Sequence, residues 1–132
     1  MPSVSEHMTD PVLTVGEETT LAAAAEAMDA EKMHSLVVIT EDCRPAGVFT
    51  STDLIAGVTA GVTLQAETVG DHMTRDVVTV GSGESIQAAA ALMSDHDISH
   101  LPVVDDQVVG IVTETDLREY LAGVQAEPMG PQ

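Results

Sequence analysis

The chain has 132 residues, enough for a compact body that buries most of its unfolded surface without staples. Its 22 acidic residues stand against four lysines and arginines, a formal net charge of −18, and its only Phe, Trp or Tyr residues are Phe49 and Tyr120. Direct nucleic-acid binding is therefore excluded, because the chain repels phosphates and offers bases almost nothing to stack on.

In chain order, the first ten residues carry neither a basic start nor an apolar run, which argues against a leader or a membrane anchor and for a soluble, cytoplasmic protein. Val12–Val15 is a short β-branched run, read as a strand that stops at Gly16. Leu21, Ala24, Ala25 and Met28 then recur at helical spacing, with Thr19 or Thr20 as the capping residue. Leu36–Ile39 has strand length, an acidic turn holds the single cysteine Cys43, and Ala46–Thr50 is a second strand. With one cysteine there is no internal disulfide and no paired thiolate for a metal or redox couple. A short helix is expected from Thr52.

The sequence then repeats itself. HMTDPVLTVG at residues 7–16 and HMTRDVVTVG at residues 72–81 differ only at their fourth, fifth and seventh positions, an offset of 65 residues. The second copy supplies Val77–Val80 as strand, Ile86, Ala89, Ala90 and Met93 as helix face with Ser85 as cap, and Leu101–Val104 and Val108–Thr113 as strands, with a final helix from Thr115. The fold class is α/β (α+β): two β-α-β-β-α repeats, residues 1–60 and 71–124, expected to pair about a pseudo-twofold axis. Residues 61–70 are expected to link them and residues 125–132 to form a flexible tail.

Chemistry concentrates in one pattern, G-x-x-T-x-T-D-L, present as Gly47, Thr50, Thr52, Asp53, Leu54 and as Gly110, Thr113, Thr115, Asp116, Leu117. A strand ends at the first Thr and a helix begins near the Asp, so hydroxyls, a carboxylate and free helix-start N–H groups converge. Such an Asp suits the vicinal diol of a ribose, with phosphate near the Thr; the structural alternative is that Thr and Asp only cap the helix. No nucleophile-base set, acid/base pair or glycine-rich phosphate loop appears, so an enzyme is the weakest reading.

The Met8-Thr9 and Met73-Thr74 pairs, the segment Ser99–Asp105 (SHLPVVD) and both G-x-x-T-x-x-D signatures together resemble the CBS (cystathionine-β-synthase-type) domain pair, or Bateman module, over residues 7–58 and 72–124. The first copy departs from the pattern at Val37, where the second has Pro102. The resemblance implies a stand-alone regulatory module, without a cofactor of its own, sensing an adenosine-containing ligand: AMP, ADP, ATP or S-adenosylmethionine. Carried over residue by residue, one cleft would join Thr50, Thr52 and Asp53 to Met73, Asp76, Val78, Ile98, Ser99 and His100. The other would join Thr113, Thr115 and Asp116 to Met8, Pro11, Leu13, Met33, His34 and Ser35. The apolar members would hold the adenine.

The cleft at Asp116 is expected to favour a phosphate, since His34 faces it; that at Asp53, facing Asp76 with Arg75 as the compensating charge, would suit a cationic ligand such as S-adenosylmethionine. His7 and His72 are repeat-equivalent, and neither has a second metal ligand at short spacing. A homodimer acting on a separate regulated protein is expected, and the alternative is a ligand-free dimerisation scaffold of the same fold. The acid-rich, lysine-poor composition also resembles that of proteins from salt-in halophiles, with a carboxylate-coated surface.

Overall fold

The computed structural model describes residues 2–10, 12–75 and 77–126, with side chains up to 123. Its elements are α1 (Val4–His7), β1 (Thr14–Gly16), α2 (Leu21–Glu31), β2 (Ser35–Ile39), β3 (Pro45–Thr50), α3 (Ser51–Thr59), α4 (Val69–His72), α5 (Ile86–His96), β4 (His100–Val104), β5 (Val108–Thr113) and α6 (Glu114–Ala126). They form two compact units. One is residues 12–77. The other joins residues 1–11 to residues 78–132. The end of the expected tail, residues 127–132, lies outside the described residues.

In the 12–77 unit, β1 lies parallel to β2 and β2 antiparallel to β3, and α2 makes the crossover that a parallel pair requires. Of the apolar face read from helical spacing, Leu21, Ala24 and Met28 are buried and pack with Leu36, Val38, Phe49, Val69 and Met73, while Ala25 is only half-buried. Thr20 is the cap of α2, its hydroxyl accepting from the Ala23 N–H at 3.1 Å. Cys43 sits at φ 61° in the turn between β2 and β3, where Thr40 and Arg44 close the loop.

The other unit repeats this plan with one loss. Its core joins Val4 to Val80, Ile86, Ala89, Met93, Leu101, Val103 and Val112. Instead of the expected strand Val77–Val80 there is a single bridge, Val80 with Val103, and the sheet has two strands, β4 and β5. Proline explains the difference. In the first unit the Val37 N–H donates to the Leu13 carbonyl at 2.9 Å. At the equivalent position Pro102 has no N–H to give, so the ladder shortens to the two bonds around Val80.

The lead-in segments also hold regular structure. Each holds a one-turn helix with an acidic residue folded back onto its start: Glu6 accepts from the Ser3 N–H and hydroxyl, and Asp71 from those of Thr68. These bonds hold both carboxyls below the ordinary carboxylate range, as those from Ser82 do for Asp105. Their contribution is thus complete above the unfolded carboxylate range and fades as the pH falls through the lowered folded values. Val4 and Val69, the first residues of the two turns, are fully buried.

Each lead-in completes the sheet of the opposite repeat. Thr9 exchanges backbone hydrogen bonds with Ile111 (2.8 and 3.1 Å), and Thr74 does so with Val48 (2.9 and 3.0 Å). A compact unit is therefore one repeat's helix and strands with the other repeat's lead-in. No helix among the described residues is long and apolar enough to cross a membrane.

Candidate functional site

Both signatures adopt the same local structure. The helices start at Ser51 and Glu114, one residue before the expected Thr52 and Thr115, because the first threonine of each signature takes the capping position. Thr50 Oγ1 accepts from the Asp53 N–H at 3.3 Å, while Asp53 Oδ2 accepts from the Thr50 N–H at 2.9 Å and its hydroxyl at 3.2 Å. Thr113 and Asp116 repeat this with 3.2, 2.9 and 3.2 Å. The capping role weighed from the sequence is real in both copies. It uses only part of each carboxylate, which stays half-buried.

The glycine of each signature is explained by close approach. A Cβ on Gly47 would fall 2.5 Å from the Met73 sulfur and 2.7 Å from the Thr74 carbonyl oxygen. On Gly110 it would fall 2.6 Å from the Met8 sulfur and 3.0 Å from the Thr9 carbonyl oxygen. The methionines of the two MT pairs thus lie against the signature strands, Met73 buried and Met8 half-buried.

The first-turn donors are largely committed. The Ser51 N–H donates to the His34 carbonyl and the Glu114 N–H to the Ser99 carbonyl, at 2.9 and 3.2 Å. The Asp53 and Asp116 N–H groups go to the threonine caps, so Thr52 and Thr115, both exposed, are the first-turn positions whose N–H groups remain for a ligand.

Of the residues expected around Asp53, Thr50, Thr52 and Met73 share its unit, while Val78, Ile98, Ser99 and His100 belong to the other. Of those expected around Asp116, Thr113, Thr115 and Met8 share its unit, and Leu13, Met33, His34 and Ser35 do not. Asp76 and Pro11 lie outside the described residues. Leu13 packs on the core of the 12–77 unit, Val78 and Ile98 on that of the other, and Ser35 is buried. The Ser99 hydroxyl lies 3.0 Å from His100 Nδ1. Arg75, expected to offset Asp76, has its guanidinium on the Gly70 carbonyl at 2.7 Å and on Glu17 at 3.4 Å.

Sequence reasoning singled out Thr9 only as part of a motif, yet its hydroxyl reaches both oxygens of Asp116. The shared spacing of the MT pair and the signature across repeats was the available signal. His72 lies 2.6 Å from Glu67 and His7 is edge-on to Tyr120, so the two equivalent histidines have different neighbours. Among the described residues no three His, Cys, Asp or Glu side chains gather as a metal site. An open cavity of about 450 Å³ beside Gly16, Thr40 and Cys43 is lined by Glu17, Glu18 and Glu41, and no signature residue borders it.

Two tandem units of this plan, each with a T-x-x-D cap under a lead-in strand, define a CBS-type pair. The sequence model of the CBS domain matches residues 4–59 and 69–123, and the chain belongs to that family. Among solved structures it is similar to the CBS domain pair of protein MJ0100 in complex with 5′-methylthioadenosine and S-adenosyl-L-methionine, with a TM-score of 0.83 and 28% identity over 94% of this chain and 98% of that one. Hypoxic response protein 1 of Mycobacterium tuberculosis is 32% identical over 92% of this chain and 86% of its own length. A structure of Hypoxic Response Protein I with two coordinated zinc ions aligns with a TM-score of 0.75 over 91% of this chain and 99% of that one. Homoserine O-acetyltransferase of Methanococcoides burtonii is 36% identical over 90% of this chain, which spans only 24% of that protein.

Proposed function

We propose that the chain is a regulatory module that senses an adenosine-containing small molecule through its two Thr/Asp signatures, and that it does not catalyse a reaction. The observation that carries this reading is the duplicated cap: in each unit the Asp is fixed by its own helix start, beside an exposed N–H position, in a fold shared with a protein bound to two adenosine compounds. A fixed carboxylate accepts from the two hydroxyls of a ribose, and the adjoining helix N-terminus favours the negative group of a nucleotide. AMP, ADP, ATP and S-adenosylmethionine all present that diol.

Calorimetry with AMP and S-adenosylmethionine tests it. Asp53→Ala and Asp116→Ala should each weaken one site by about 1 to 3 kcal/mol, the worth of a lost hydrogen bond to a charged group. Unchanged binding in both variants would show that the signatures are not adenosine sites. The ligand-free scaffold would give no heat of binding in the unsubstituted chain either.

The proposal includes a homodimer that signals to a separate protein. Ile55 and Val58 stand one turn apart on α3 with 64% and 56% of their surface exposed, an apolar pair that favours cover by another chain. Light scattering in molar KCl, which screens the acidic surface, should report about twice the 13.7 kDa chain mass. A single-chain mass would remove the dimer from the proposal.

A further inference from the structure

The two signatures differ at one oxygen. Asp53 Oδ2 is held by the Thr50 N–H and hydroxyl, and Oδ1 accepts no hydrogen bond among the described residues. Asp116 Oδ2 is held in the same way by Thr113, but the Thr9 hydroxyl also lies 3.0 Å from Oδ1 and 3.1 Å from Oδ2. A hydroxyl almost equidistant from both oxygens sits on the bisector of the carboxylate. The two hydroxyls of a vicinal diol would approach along that same direction.

Thr9 is held there by its backbone, which exchanges two hydrogen bonds with Ile111. Thr74 has the same backbone bridge to Val48, yet its exposed hydroxyl makes no bond to Asp53 among the described residues. With matching backbone bridges, the two carboxylates differ in whether the lead-in threonine's hydroxyl reaches them.

We propose that Thr9 is a hydroxyl gate on Asp116, so that the two signatures take an adenosine-type ligand unequally, Asp53 first. This rests on reading the signatures as ribose sites. A diol arriving at Asp53 finds an open oxygen, whereas one arriving at Asp116 must first turn the Thr9 hydroxyl away and lose its bond. Occupancy of Asp116 is thereby tied to the conformation of the lead-in segment, and Thr9 sets the ligand concentration at which the second site fills.

The experiment is AMP calorimetry on the full chain in the Asp53→Ala background, where the Asp53 site is weakened and the Asp116 site is intact, with and without Thr9→Val. Valine keeps the shape and removes the hydroxyl, so AMP should bind about three- to tenfold more tightly, the fold-change that corresponds to one hydrogen bond no longer broken. Thr9→Ser should leave the affinity near its starting value, and in the Asp116→Ala background Thr9→Val should change nothing. Equal or weaker AMP binding in Asp53→Ala/Thr9→Val overturns the gate. If loss of the Asp53 cap prevents folding, Asp53→Asn supplies the background, since its amide oxygen still caps. Failure of the unsubstituted chain to bind AMP overturns the ribose reading and the gate together, whereas binding indifferent to Thr9→Val overturns the gate alone.

Discussion

Phe49→Ala is expected to lower the stability of the protein by about 3 to 5 kcal/mol, a large part of what a domain of this size possesses. Phe49 is the only phenylalanine in the chain and is fully buried. It lies on β3 within the cluster that joins α2, β2 and the lead-in residues Val69 and Met73. Truncation there removes transfer free energy and leaves a cavity, and alanine-rich α2 offers few atoms to fill it. The equivalent residue of the other unit, Val112, is also fully buried but smaller, so Val112→Ala should cost distinctly less. Urea denaturation followed by circular dichroism measures both, and a loss below about 1 kcal/mol for Phe49→Ala would show that the cluster is not organised around that ring.

Gly47→Ala is expected to destabilise by about 2 to 3 kcal/mol, the upper part of the range for overpacking. The added methyl would meet the Met73 sulfur at 2.5 Å, which a thioether can yield, but also the Thr74 carbonyl oxygen at 2.7 Å, which is backbone held by its bridge to Val48. Relief requires parting the lead-in strand from β3. Gly110→Ala meets its nearest backbone atom at 3.0 Å and should be milder. Thermal melts of the two variants give the comparison, and a Gly110→Ala loss equal to or larger than that of Gly47→Ala would contradict the order.

Much of this architecture is legible in the residues because it is written twice. The apolar spacing of Leu21, Ala24 and Met28 and of Ile86, Ala89 and Met93 fixed which helix faces are buried, and Thr20 and Ser85 act as caps. The edges escaped for physical reasons. Thr50 and Thr113, rather than the second threonines, cap the final helices, because only a residue three before the Asp can form the reciprocal pair of bonds. The one-turn helices α1 and α4 were signalled by S-x-x-E at Ser3 and T-x-x-D at Thr68, but four residues are too few for a periodicity to show. The loss of strand at Val77–Val80 follows from Pro102, a residue that the family resemblance draws attention to without revealing its effect on the ladder. What no single-copy pattern conveys is the Thr9 to Asp116 contact, which spans 107 residues.

The exchange of lead-in segments also sets an order of events during synthesis. Residues 12–77 are contiguous, so that unit has all its strands, its helices and its lead-in once Val77 has emerged, and its contacts close within its own span of chain. The other unit is interrupted by the first. Val4 and Thr9 wait for Val112 and Asp116, and must stay available for more than a hundred residues of elongation, a long loop to close. Translation at roughly 5 to 20 residues per second leaves Val4 and Thr9 without these partners for several seconds. The unit that contains Val4 and Thr9 is thus started before the 12–77 unit and completed after it.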